Sequence, residues 1–571
     1  MMNSAMRADP LARAPALKTE TLLECLLYWE RIAPHEVYLT QPLANGDVLT
    51  FTWRQVGEQA RRLASYLQSL LLPPGSAIAL MGKNSAHWIM ADLGIWMAGH
   101  VSVPLYATLG AEAVRHVLAH SEARVLIVGR MDELWSSLVP HLPEDLPRVA
   151  LPMAPVMSAT RWNDLVARHE PLAQIPTRSP RELASIIYTS GSTGTPKGVM
   201  ISFGAMMEMR RNAELFDVGP QDRVLSYLPL AHALERAMIE TSSLIFGFKV
   251  YFAYGLETFV DDMKRARPTL FISVPRLWAK FYQAVSDRIP PAKLSRLLTI
   301  PVVSSVTRKR VLRQLGLDHV RIAWTGSAPL APALISWYRA LGLELLEGYA
   351  LTENFAYSHT SRRGQSRVGY VGHPNPGVAQ RIDPMTGEVQ VHSPASMMGY
   401  YKEPGLSADA FTADGYLKTG DMGELDEQGR LRITGRVKEL FKTSKGKYVA
   451  PQPIEKMLAE HPAVGMVCVT GVGQPQPLAI VSLADEVLER MANGRLSQDE
   501  VEAQFSGLLG RVNGSLEPHE RLDCLVLSRE AWSIQNGLLT PTMKIRRQAI
   551  ESRYAQGFEA WSAQAQGVIW V

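Results

Sequence analysis

The sequence predicts an α/β protein: a large N-terminal domain of α/β sheets with a β-rich subdomain, then a small α+β C-terminal domain. Three observations lead there. Apolar runs of strand length alternate with helical periodicity from Phe51 to beyond Val320. Short strands in a Gly- and Pro-dense stretch follow from about Gly369 to Arg436, and charged helices with short strands close the chain. At 571 residues the chain is also too long for one hydrophobic core, which stops growing at about 250–300 residues. We read the large domain as residues 1–436, its β-rich part as 369–436, and the small domain as 437–571.

The elements follow in order. From Thr52, TWRQVGEQARRLASYLQSL sets Val56, Ala60, Leu63, Leu67 and Leu70 at helical spacing. SAIALMG from Ser76 reads as a buried strand, HWIMADLGIWMAGH as a helix, and ARVLIVG from Ala123 as the next strand. Such alternation argues for a parallel sheet covered on both faces. Apolar runs beginning at Asp222, Lys249, Thr269 and Val320 read as further strands ending in loops. Ligands of open α/β sheets bind beyond the carboxyl ends of strands, so Ser226-Tyr227, Ser273 and Thr325-Gly326-Ser327 are candidate site segments. Beyond Gly369, Asp414-Gly415 and Gln428-Gly429 mark hairpin turns; Val464 to Thr470 and Leu478 to Leu483 read as strands of the last domain.

Composition narrows the class. Hydrophobic content of 46% with 20% charged residues describes a globular chain, not a disordered one. A net charge of +4 over this length gives no argument for a nucleic-acid partner. Cys25, Cys468 and Cys524 are scattered without metal-ligand spacing, which suggests a reducing compartment. The first twenty residues lack the apolar core of a signal peptide, and no stretch reaches the ~18 apolar residues of a spanning helix. A cytoplasmic protein is expected, with peripheral contact at the inner face of a membrane left open.

The densest chemistry lies in YTSGSTGTPKG, Tyr188 to Gly198. It holds three glycines, five Ser/Thr residues and one lysine behind the apolar Ala184–Ile187. Gly191, Gly194 and Gly198 permit positive φ and close backbone approach. Thr189, Ser190, Ser192, Thr193 and backbone N–H groups can donate to phosphate oxygens, and Lys197 adds a positive charge. The common P-loop is excluded, because Pro196 stands where its second glycine would precede the lysine. A flexible linker fits poorly, since Pro196 stiffens the loop and apolar residues flank it on both sides.

This loop resembles the signature of the adenylate-forming superfamily, which includes acyl-CoA synthetases, adenylation domains and luciferases. Five further segments occur in the family's order. YLPLAHALER, from Tyr227, places His232 where the family histidine lies beside the acyl carboxylate; alone it reads as a strand end with a satisfied histidine. With SVPRLWAKFY from Ser273, it has the form seen in long-chain acyl-CoA synthetases. TGSAPL resembles the backbone platform for adenine, at Gly326, Ser327 and Ala328. In EGYALTE, Tyr349 matches the aromatic that stacks on adenine, Thr352 the α-phosphate hydroxyl and Glu353 the Mg²⁺ carboxylate; alone, a Thr-Glu pair reads as a helix start.

The stretch from Tyr416 to Lys442 carries Asp421 and Arg436, matching the ribose-binding pair, and Lys438 at the hinge position. An ionised Asp421 is acceptor-only and can take both ribose hydroxyls. SKGKYVAPQPIE resembles the CoA-side segment, with Gly446 at its turn, and LTPTMKIRR places Lys544 as the catalytic lysine. Two departures stand out: Ile201-Ser202-Phe203 replaces the frequent Leu-Thr-His, and Gly387-Glu388 continues without Arg-Gly.

The resemblance implies a mobile small domain and a two-step reaction. A fatty acid and Mg-ATP give acyl-adenylate and pyrophosphate; CoA, as co-substrate, then takes the acyl group. The implied catalytic residues are Lys544, Thr352, Glu353 and His232, with Glu353 at the metal. Two alternatives stay open: transfer to an acceptor other than CoA, and a non-catalytic nucleotide- or lipid-binding descendant. Either a monomer or a homodimer is compatible.

Overall fold

Thr52 starts the first long helix with a reciprocal cap. Its hydroxyl accepts from the Gln55 amide, and its own amide donates to the Gln55 side chain. Helix Trp53–Ser69 then buries Val56, Ala60, Leu63 and Leu67, while Leu70 falls just beyond as the C-cap. In the computed structural model, the residues described are 19–131, 134–190, 196–328, 330–540, 543–564 and 567–571. The chain forms two compact units: the first runs to Gln380 and takes in Val391–Leu417, and the second joins Arg381–Gln390 to Lys418–Val571.

Among the described residues, the first unit holds three principal sheets. Its largest has eight strands in the order 399–400, 196–202, 183–190, 101–105, 77–81, 125–128, 148–150, 160–161. Pairing is parallel from Leu183–Ser190 through the far edge and antiparallel at the two strands on the other side. Strand Ala77–Met81 is buried throughout, as its unbroken apolar run requires. Helix Ala86–Met97 is buried on every side and packs against this sheet and against strand Val37–Pro42 of a second one. That second sheet runs 223–226, 249–252, 37–42, 48–52. The third sets Leu270–Ser273, Ile322–Thr325 and Leu345–Tyr349 parallel, then turns antiparallel through His359–Thr360 and His373–Pro374.

In the second unit, residues 421–425 pair antiparallel with strand Leu431–Arg436. Its main sheet pairs Val464–Thr470 antiparallel with Leu478–Leu483, followed in parallel by Leu525–Ser528 and Val568–Trp570. Side chains alternate between faces. Val467, Val469, Val481, Leu525 and Leu527 meet helices Pro451–Ala459 and Gln498–Gly514. Cys468, Ile480 and Val526 share the opposite core with Ile550 of helix Arg547–Tyr554. This is the α+β arrangement expected of the chain's last part. Cys25, Cys468 and Cys524 are buried and form no disulfide. Among the described residues, no helix is long and apolar enough to cross a membrane.

Candidate functional site

Strands Leu183–Ser190 and Pro196–Ser202 form the stem of the glycine-rich loop, with Thr189 opposite Lys197 and Ser190 opposite Pro196. Gly191, Ser192, Thr193 and Gly194 lie outside the described residues. Gly198 lies in the strand without positive φ, which corrects that expectation. Its requirement is steric: a Cβ there would meet Ile186 Cγ2 at 2.7 Å and the Tyr188 ring at 3.2 Å. The short strand Gly399–Tyr400 pairs with Val199 and Met200 and brings the Tyr400 ring to 5.7 Å from Lys197 Nζ.

Tyr400 links that lysine to the acidic end of the site. Its hydroxyl donates to Glu353 Oε1 at 2.8 Å. Burial and the adjacent carboxylate hold the phenol well above its ordinary pKa, so it stays a donor. Glu353 stands on a single 3₁₀ turn, Thr352–Asn354; its carbonyl accepts from the Met397 amide, and Asn354 Oδ1 accepts from the Leu351 amide. Phe355 and Ala356 follow at φ 47° and 57°, a double left-handed step that bends the chain away sharply.

The segments expected to hold a base come together at the ends of neighbouring parallel strands. Thr325 pairs with Glu347, so Gly326 follows one strand as Gly348-Tyr349 finish the next. Ser327 takes φ 67°, an unusual conformation for serine, and is exposed with Ala328. Tyr349 is half-buried, its ring centroid 5.9 Å from that of His359. His232 caps a short helical turn, with Nδ1 accepting from the Leu234 amide at 3.1 Å.

Behind these strand ends is an apolar pocket lined by Phe216, Met238, Ile239, Phe246, Phe271 and Trp324. Trp324, which precedes Thr325-Gly326, meets Phe216 edge to face at 5.1 Å. The wall from Arg236 to Thr241 is a π-helical turn. Met238 and Ile239 line the cavity, while Arg236 and Glu240 are fully buried with Asp92 in a charged cluster. Arg236 also donates to Ser185 Oγ and lies 5.5 Å from both the Trp88 and Trp96 rings. Next to it, Glu235 Oε1 accepts from Ser226 Oγ and the Tyr227 amide, and burial pushes this carboxyl up to about 8.

In the second unit, Asp421 and Arg436 face each other across the hairpin, with Arg436 Nε donating to Asp421 Oδ1 at 2.7 Å. Asp421 is buried and its amide donates to Thr419 Oγ1. Lys438 is exposed in the turn Val437–Glu439, and Gly446 takes φ 78° between two short strands. Lys544 is exposed; its carbonyl accepts from the Thr540 amide at 2.7 Å and its amide donates to Thr540 Oγ1 at 3.0 Å. Arg547 anchors the next helix through Glu455 and the Val469 carbonyl, each at 2.7 Å.

Comparison with known proteins assigns the family. The model for AMP-binding enzyme matches residues 31–401, and that for the AMP-binding enzyme C-terminal domain matches 439–566. The chain belongs to the AMP-binding enzymes. A long-chain-fatty-acid–CoA ligase of Mycobacterium bovis is 30% identical over 93% of this chain and 95% of its own length. Long-chain-fatty-acid–CoA ligase 1 of Homo sapiens is 29% identical, covering 88% of this chain and 81% of its own. The fold matches the adenylation domain of a carboxylic acid reductase from Segniliparus rugosus, solved with AMP and a carboxylic acid: TM-score 0.80, 21% identity, 98% of each chain covered. In this AMP-binding enzyme, sequence reading did not single out Tyr400, and it met Glu235 only as one letter of YLPLAHALER. Tyr400 belongs to a two-residue strand too short to show a period, and nothing local marks Glu235 as buried.

Proposed function

We propose that this chain activates a long-chain fatty acid with ATP and transfers the acyl group to CoA, as a fatty acid–CoA ligase of the AMP-forming type. The observation that carries the reading is the apolar cavity directly behind Trp324-Thr325-Gly326, in a chain whose curated relatives are long-chain-fatty-acid–CoA ligases across most of its length. Those relatives favour CoA over another acceptor.

The residues divide the work. The acyl chain occupies the apolar cavity with its carboxylate toward His232. Gly326, Ser327 and Ala328 offer a flat backbone platform for adenine and Tyr349 an aromatic face. Asp421 takes the ribose hydroxyls with Arg436 beside it. The glycine-rich loop, from Thr189 through Ser190, Gly191, Ser192, Thr193 and Gly194 to Lys197, grips the β- and γ-phosphates and then pyrophosphate, and Thr352 takes the α-phosphate. Glu353 fits a hard cation: it is a half-buried carboxylate oriented by Tyr400, and ATP oxygens complete such a shell. Mg²⁺ held there would offset phosphate charge.

Adenylation brings two anions together. The Lys544 ammonium neutralises carboxylate and phosphate oxygens as the acid attacks the α-phosphorus, stabilising charge that develops in the transition state. Pyrophosphate leaves, and the carboxylate becomes a mixed anhydride. The second step places the hinge at Lys438 and the CoA-facing segment around Gly446; the CoA thiolate attacks the acyl carbon and AMP departs. The reaction takes place in the cytoplasm, with acid drawn from a membrane face, and the enzyme works as a monomer or homodimer.

Lys544→Ala tests the assignment. ATP–pyrophosphate exchange is expected to fall about 10²–10³-fold, the cost of removing one transition-state donor. Thioester formation from supplied acyl-adenylate persists. Near-normal exchange overturns the role of Lys544, and no CoA thioester from any acid of a chain-length panel overturns the function.

A further inference from the structure

Two helices of the first unit, Pro291–Thr299 and Pro301–Gln314, form a hairpin whose tip is apolar and open to solvent. Val302 is 78% exposed, Val306 63% and Ile300 50%, with Val303 beside them. On the second helix, Val302, Val303 and Val306 share the outer face, whereas Ser304 and Val311 are buried. The inner side is held by a small cluster of Val285, Leu294, Val311 and Leu341. The tip side chains are thus surplus to the fold, and water-exposed β-branched residues lower helix propensity without gain.

Charge is arranged just behind the tip. Arg308, Lys309 and Arg310 follow Val306 on one arm, and Lys293 and Arg296 precede Ile300 on the other; all five are exposed. At 1.5 Å per residue, Arg296 stands about 6 Å along the chain from Ile300, and Lys309 about 4.5 Å from Val306 and about 10 Å from Val302. From Arg288 to Leu317 the chain has seven basic residues and no acidic one. An apolar tip with a cationic collar at that depth matches a lipid interface, where apolar side chains enter by about 5–10 Å and basic ones stay with the headgroups. Nucleic acid would use the collar but gain nothing from the exposed valines.

We propose that this hairpin docks the enzyme on an anionic lipid surface, with Ile300, Val302 and Val306 inserted and the collar on headgroup phosphates. The proposal rests on the acid-activating reading only for its purpose: a substrate dissolved in a bilayer is met at its surface. The lipid contact itself stands on exposure and charge.

Vesicle co-sedimentation tests it with the full-length protein. Binding is expected to phosphatidylcholine vesicles doped with phosphatidylglycerol, weaker to phosphatidylcholine alone, and reduced by salt. Val302→Ser with Val306→Ser is expected to weaken binding about tenfold per substitution. Arg308→Gln, Lys309→Gln and Arg310→Gln together are expected to weaken it about a hundredfold, from the contribution of each basic residue at a charged surface. Both variants retain wild-type turnover of a water-soluble medium-chain acid while losing the stimulation of long-chain turnover by vesicles. Undiminished vesicle binding by both variants overturns the proposal. So does RNA binding that depends on the collar without vesicle binding, or a dimer that the serine variants dissociate. If no acid is turned over, the proposed function fails while the vesicle result still decides this one.

Discussion

Glu235→Gln is expected to flatten the pH dependence of stability. Oε1 of Glu235 accepts from Ser226 Oγ at 2.8 Å, the Tyr227 amide at 3.0 Å and Asn84 Nδ2 at 3.4 Å, whereas Oε2 is buried with no hydrogen-bond partner among the described residues. Glutamine keeps the accepting oxygen and the shape. Burial, the dominant cause, raises the folded carboxyl from 4.5 to about 8, while bonds from Ser226 and the Tyr227 amide lower it less. Below pH 4.5 both folded and unfolded chains hold the proton. Above it the unfolded chain ionises and the folded chain does not, so native stability falls as pH rises, by about 1.4 kcal/mol per pH unit. The loss accumulates to about 5 kcal/mol by the folded pKa. The variant has no such proton, so its advantage over wild type grows across that window. Urea unfolding followed by tryptophan fluorescence, at several pH values between about 5 and 8, measures the difference. Parallel stability curves for the two proteins would refute the reasoning.

Three other outcomes are accessible. Arg236→Met strands Asp92 and Glu240 without their cation, and thermal unfolding should report a loss of about 3–5 kcal/mol; a wild-type melting temperature would contradict the buried cluster. Met238→Trp narrows the acyl cavity, and kcat/KM for the longest acids should fall at least about tenfold while shorter acids and ATP are little affected. A uniform loss across chain lengths would place the chain elsewhere. Tyr400→Phe removes the hydroxyl on Glu353, a bond to a charged group worth about 1.5–3 kcal/mol, so the KM for Mg-ATP should rise about tenfold or more with fatty-acid KM unchanged. Unchanged nucleotide kinetics would count against a positioning role for Tyr400.

Much of this architecture was written locally in the chain. The runs around Ala77–Met81, Val125–Val128, Leu270–Ser273 and Ile322–Thr325 are strands because each is short, apolar and buried on both faces. Helix Trp53–Ser69 carried its stripe and its cap in the same nineteen letters. What escaped local reading depends on distant partners. Asp92 and Arg236 lie 144 positions apart, and Arg236 beside Glu235 reads as an ordinary charged helix start until the fold buries both. The π turn that follows has no periodic signature. Gly198 was legible as necessary but not for its reason, since packing against Ile186 appears only once the hairpin closes.

The enzyme handles an acyl group activated toward sulfur, yet it carries thiols of its own. Each is sealed in a core. Burial pushes Cys25 and Cys524 up to about 12 and Cys468 higher still, so thiolate is scarce at neutral pH and no thiol faces solvent. An acyl-adenylate lost from its site therefore finds no nucleophilic sulfur on the protein that made it. Protection from self-acylation is a property of the packing, obtained without excluding cysteine from the sequence.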